Sequence, residues 1–264
     1  MHADAIRGEA LFTYSALFGF LFTLARISCV FAFLPLAAFR AAPEPAKILL
    51  SLAFTLILWP QWKAPAAGGI GIGGIVSGLA GEAALGLAIG LSLAVVLEVF
   101  QVAAQVVSLQ AGFGFASTVD PNSGADSTVL LTLAQITAGL LFFATGADRM
   151  LVRALADSLR LCPPESFAIN RGWAEALVRF AATVFGSGLR LAAPVIALLL
   201  LADGTLAVLG RIQQSIHLVS LTMPLKLAAA MLLAASTLVF QPRLFDSTTD
   251  TAIRLIEAIL RSGR

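Results

Sequence analysis

The sequence predicts an all-α membrane protein, and three observations carry that expectation. Apolar residues fill 59% of the 264 positions and charged residues only 12%, about half the charged share of a soluble globular domain. Mean hydropathy is +0.93. The apolar residues come in long Leu-, Ala- and Phe-rich runs without strict alternation, which favours helices over the apolar-out, polar-in strands of a barrel. So few charges cannot coat a soluble protein of this length, so lipid, other proteins or both must cover the rest. That excludes an ordinary cytosolic enzyme. The balance of 17 basic and 15 acidic residues has no basic run, which argues against nucleic acid as a partner.

The first apolar run, Leu11–Phe39, carries Arg26 in its middle. It follows Asp4, Arg7 and Glu9 and is longer than a signal-peptide core, so it reads as retained structure. The prolines of Arg40-Ala41-Ala42-Pro43-Glu44-Pro45 separate it from the run Ile48–Pro60. That second run ends among Trp59, Pro60 and Trp62, aromatics suited to a membrane interface. Glu82 interrupts the third run, Ile75–Phe100, whereas the fourth, Ser127–Ala147, has the length a hydrocarbon crossing needs. A helix starting near Thr128 is expected to end at Cys162-Pro163-Pro164.

Arg179 and Arg190 interrupt the fifth run, Ala174–Ala202. Thr205–Leu221 and Leu227–Gln241 follow, with Pro194 and Pro224 placed to kink or split their helices. Thr251–Leu260 carries Ile253, Ile256 and Leu260 at helical spacing, with Asp250 as an N-cap. No linker divides the chain, so residues 1–264 read as a single helical membrane domain without a separate soluble one.

The charges say more than the hydropathy. An ionised side chain at membrane depth costs at least ~2.5 kcal/mol and usually faces protein or water. Arg26, Glu82 and Arg211 are therefore expected to face partner subunits, and Arg211 and Lys226 bracket an apolar stretch between them. Residues 64–148 hold no Lys or Arg, so the positive-inside rule has nothing to count there. This pattern suggests helical hairpins and partner-covered helices rather than a ladder of simple spans.

Most motifs dissolve on inspection. Gly69-Ile70-Gly71-Ile72-Gly73-Gly74 matches GxGxxG, but no strand precedes it, so it reads as a loop entering a helix. Gly74/Gly78 and Gly86/Gly90 have the spacing that lets helix backbones approach closely. There is no GxSxG or HExxH. His217 is a lone histidine in an apolar run, and Cys29 and Cys162 read as buried apolar thiols. No cofactor or metal is expected.

Two features resist that treatment. On an ideal helix Glu98, Gln101, Gln105 and Ser108 fall within an arc of roughly 80°, with Glu82 about 160° from Glu98. The stripe fits a water-facing side, a hydrogen-bonded subunit interface or the lining of a wet conduit. Directly after it comes Gln110-Ala111-Gly112-Phe113-Gly114-Phe115-Ala116-Ser117-Thr118-Val119-Asp120-Pro121. Glycines flanking a phenylalanine make a poor helix interior, and Asp120-Pro121-Asn122-Ser123-Gly124 is turn chemistry. Such a loop could pack in a core or obstruct a passage as an apolar plug.

That stretch closely resembles the signature loop of the FliR family, membrane subunits of the flagellar type III export gate. Arg26, Pro45-Ala46-Lys47-Ile48, Gly81-Glu82, Gly86, Gly90, Ala193-Pro194-Val195-Ile196 and Met223-Pro224-Leu225-Lys226-Leu227 also look like the family, in the same order. The resemblance implies a non-enzymatic, multi-pass inner-membrane protein of the flagellar basal body. It implies FliP and FliQ as partners in a cone-shaped gate set high relative to the bilayer, with other flagellar export membrane components nearby and unfolded flagellar proteins as cargo. It also implies that Gly112, Phe113, Gly114 and Phe115 help close the channel. Asp120 and Pro121 would then shape the loop turn. Arg26, Glu82, Glu98, Gln101, Gln105, Arg211 and Lys226 are the expected polar contacts within the complex.

The chain departs from the family at Ala147-Asp148-Arg149, where a histidine often follows the glycine, and at Gln214, where a proline is common. It shows no Asn-Pro-Thr-His site of the autocleaving export-switch component. A small-solute permease is the alternative from another class; it would need polar groups converging at mid-membrane, which Glu98, Gln101 and Gln105 could supply.

Overall fold

The computed structural model describes residues 14–34, 42–59, 72–113, 129–164, 166–167, 171–212 and 218–262. Among them every regular element is helical: α1 (Tyr14–Phe33), α2 (Glu44–Leu58), α3 (Ile72–Ala111), α4 (Val129–Ala144), α5 (Ala147–Leu161), α6 (Arg171–Ile212), α7 (Leu218–Thr237) and α8 (Gln241–Ser262). The all-α expectation holds. Three helices are long and apolar enough to cross a membrane, in the segments Ala16–Phe33, Ile72–Ala111 and Arg171–Arg211, and the count reaches five if α4–α5 and α7–α8 each form one broken span.

Local chemistry explains several boundaries. Pro43 at the N-cap (φ −63°, ψ 145°) and Pro45 in the first turn start α2, where a missing N–H costs nothing. Glu44 complements the helix dipole there and pairs with Lys47 at 2.8 Å. Gly146 separates α4 from α5 at φ 77°, so the helix expected to run on to Cys162 is broken in its middle. The reverse happens at Pro194, which lies inside a continuous α6 instead of splitting it. Likewise α7 runs through Pro224. The run before Asp203 and the start of the one after it, as far as Ile212, also lie in the single helix α6.

The chain divides into two compact units. The first takes α1, α2, α3 up to Val95, α5, the start of α6 as far as Ala181, and α8 from Thr249. Here α1 and α2 form a helical hairpin. Phe31 meets Phe54 and Phe20 meets Trp59, with ring centroids 5.1 and 6.2 Å apart. On the other side α1 lies against α3. A methyl on Gly86 would overlap the Arg26 carbonyl, and one on Gly90 would come within 2.9 Å of the Val30 oxygen. The close approach read from the Gly86/Gly90 spacing is therefore real. Phe22, Ile27, Leu85, Ile89, Leu155 and Ile256 fill the core.

The second unit takes α3 from Val96, α4, α6 from Ala182, α7, and α8 up to Thr248. One of its core clusters is built from Ala103, Val107, Ala111, Leu130, Ala192, Val195, Leu199 and Ala230, and Phe100, Phe142 and Phe245 are buried in the same unit. Much apolar surface stays uncovered around it, including Leu140, Phe185, Leu201 and Leu232.

Candidate functional site

The first unit holds a buried ionic cluster. Arg26 on α1 and Glu82 on α3 are both fully buried, and Arg26 Nε donates to Glu82 Oε2 at 2.5 Å. Arg26 Nη1 donates to Ser158 Oγ at 3.1 Å and Nη2 to the Cys162 carbonyl at 2.9 Å. All three guanidinium nitrogens thus have acceptors from this chain. Ser158 Oγ in turn donates to the Leu155 carbonyl, and the Cys162 thiol donates to the Leu260 carbonyl at 3.2 Å. Arg26 and Glu82 were expected to face partner subunits. They are instead enclosed by their own helices, because each supplies the counter-charge that makes burial of the other tolerable.

The second unit holds polar groups of a more open kind. Asp203, on α6, takes both of its bonds on Oδ2. Lys226 Nζ of α7 donates at 2.8 Å and Gln110 Nε2 of α3 at 3.1 Å. The side chains of Lys226 and Asp203 are 15% and 36% exposed. Along the α3 stripe Gln101 is buried and accepts from Gln135 of α4 at 3.0 Å. Glu98 is half-buried and Gln105 exposed. Ser108 is buried with its hydroxyl unpaired among the described residues. Arg211 is exposed at the end of α6. Asp203 and Gln135 were not singled out in the sequence, although Asp203 is the charge that breaks the longest apolar stretch of α6.

The glycine-phenylalanine segment begins as a helix terminus. Gly112 sits at φ 88°, its N–H bonded to the Leu109 carbonyl at 3.2 Å, and the Phe113 N–H reaches the Ser108 carbonyl at 3.0 Å. Those two bonds form a Schellman cap, which needs a left-handed residue at the Gly112 position. Phe113 is partly buried against the core cluster that contains Val107, the apolar contact such a cap usually carries. Gly114, Phe115, Asp120 and Pro121 lie outside the described residues, as does His217. Cys162 is the buried thiol the sequence suggested, and Cys29 is only partly buried.

One comparison decides what these helices belong to. The sequence pattern of the bacterial export proteins, family 1, matches residues 17–252, a span that includes every polar side chain described above.

The chain belongs to that family.

Among similar proteins, the flagellar biosynthetic protein FliR of Escherichia coli is 26% identical over 81% of both chains. FliR of Bacillus subtilis is 25% identical over 91% of this chain and 95% of its own. The surface presentation of antigens protein SpaR of Salmonella typhimurium is 28% identical over 88% of this chain and 85% of its own. Among the described residues no three His, Cys, Asp or Glu side chains gather as metal ligands. The polar groups described here join the helices to one another.

Proposed function

We propose that this chain is the FliR-type structural and channel subunit of a flagellar type III export gate in the bacterial inner membrane. The observation that carries the reading is the family match over residues 17–252. FliR relatives from distant bacteria align over most of both chains, and the helices are long and apolar enough to span a bilayer. The chain works by packing and by shaping a passage, not by catalysis, and it sits in the flagellar basal body.

The finer assignments follow from the same reading. FliP and FliQ are the proposed neighbours, other flagellar export membrane proteins lie close by, and unfolded flagellar proteins are the cargo. Exposed apolar side chains such as Phe185, Leu201 and Leu232, together with the exposed Gln105 and Arg211, supply the surfaces those neighbours would cover. Glu98, Gln101 and Lys226 complete the proposed polar contacts of the complex. Gly112, Phe113, Gly114 and Phe115 serve as the channel plug, which requires Phe113 to leave the core it now touches when the passage opens.

Deleting the coding region should abolish both motility and secreted flagellin, and the wild-type chain should restore both. A strain that swims and secretes normally while losing growth on one nutrient would instead indicate a permease. Deleting Gly112–Phe115 should raise ion permeability in cells carrying the assembled gate. Unchanged conductance would remove the plug assignment while leaving the export role intact.

A further inference from the structure

In the second unit, the core cluster that contains Val107 ends in a polar layer. Val195 and Leu199 lie on one stripe of α6, and the next position on that stripe is Asp203. On α3 Gln110 comes three residues after Val107, and on α7 Lys226 comes four residues before Ala230. Helical spacing thus sets all three at the same end of the cluster. They meet on one atom. Lys226 Nζ donates to Asp203 Oδ2 at 2.8 Å and Gln110 Nε2 donates to it at 3.1 Å.

Helix packing alone does not account for this layer. An ion pair holds two buried helices no better than apolar side chains of similar volume, and leucines at 203 and 226 would continue the stripes already there. What the charges add is a fixed acceptor for Gln110. That residue sits in the last turn of α3, two positions before the left-handed Gly112. Its turn is the one closed by the Gly112 and Phe113 N–H groups, and Phe113 packs against the same core cluster. The turn that carries Phe113 is therefore held twice, by an apolar contact and by one hydrogen bond from a neutral amide to a carboxylate.

We propose that Asp203 is a positioning residue for the channel plug: oriented by Lys226, it latches Gln110 and so keeps Gly112 and Phe113 in the closed arrangement. This rests on the plug reading of that segment. A single charge-assisted hydrogen bond biases the resting state, yet passing cargo can undo it and it can form again. Because Lys226 donates to the same oxygen, the carboxylate stays in place when Gln110 lets go. Gln110 then finds the same acceptor when the end of α3 closes again.

The test reads resting ion permeability in cells carrying the assembled gate, with the amount of assembled gate measured alongside. Gln110→Leu should raise the leak three- to tenfold, the ratio for about 0.6–1.4 kcal/mol, at an unchanged amount of gate. Asp203→Leu with Lys226→Leu should leak to the same degree, although it keeps α6 packed on α7; a merely structural pair predicts no leak from it. Asp203→Glu, which keeps the carboxylate, should stay near wild type. Gln135→Leu removes a comparable bond farther back along α3, the one to Gln101, and should leave the leak unchanged. Wild-type permeability in the Gln110 and Asp203 variants, while deletion of Gly112–Phe115 leaks, would overturn the latch and leave the plug standing. If the deletion is tight as well, both readings fall. A leak from Gln135→Leu as large as from Gln110→Leu would also overturn the latch, since any loosening of α3 would then suffice.

Discussion

The two units handle buried polarity in opposite ways. In the first, Arg26, Glu82, Ser158 and Cys162 form a closed set, with the guanidinium and carboxylate fully buried and bonded within the chain. In the second, Asp203, Lys226 and Gln110 form a set that is partly open, with one carboxylate oxygen carrying both in-chain bonds. The two longest helices, each contributing to both units, also differ: the apolar stretch of α3 is 72% buried inside the chain and that of α6 only 17%. A polar cluster sealed by its own helices ties those helices to one another, since losing either partner strands a buried charge. A cluster left open among bare apolar faces keeps capacity for a neighbour.

Substitutions at four places test that division, from the largest expected effect to the smallest. Arg26→Leu strands the buried Glu82 carboxylate and should lower stability by about 3–5 kcal/mol, seen as a collapse of the chain's level in membranes. Arg26→Leu combined with Glu82→Leu should recover part of that loss, since both charges are then gone. Gly86→Val drives a side chain into the α1 backbone and should cost about 1–3 kcal/mol, lowering the thermal midpoint in detergent. Lys226→Met leaves Asp203 partly solvated and still bonded to Gln110, so about 1 kcal/mol is expected from a double-mutant cycle with Asp203→Asn. If that cycle matched the Arg26–Glu82 one, the contrast between the units would fail. Gln135→Leu should be smallest, near 0.6 kcal/mol, the usual worth of a hydrogen bond between membrane helices.

The sequence made some of this legible. Scarcity of charge and length of apolar runs are properties of segments, so the helical membrane class came through, and so did the tight crossing at Gly86 and Gly90. Partners across the fold did not. Arg26 reads as an unpaired charge because its carboxylate lies 56 residues away and its other acceptors 132 and 136 away. Asp203 falls between two apolar runs and drew no attention in the sequence, yet it is held inside α6 by Lys226 and Gln110. Pro194 read as a kink or break, but α6 carries it as one helix. Gly112 was visible as a poor helix interior, although its role as a Schellman cap depends on a left-handed φ that composition does not reveal.

The arrangement around Arg26 also sets a timetable for biogenesis. The first helix leaves the ribosome before any of its guanidinium's acceptors; the Glu82 carboxylate follows 56 residues later, and the set is complete only with the Cys162 carbonyl, 136 residues later. At about 5–20 residues per second, that interval is roughly 7–27 s. During it the nascent protein depends on the insertion machinery, or on a helix already in the membrane, to shelter that cation.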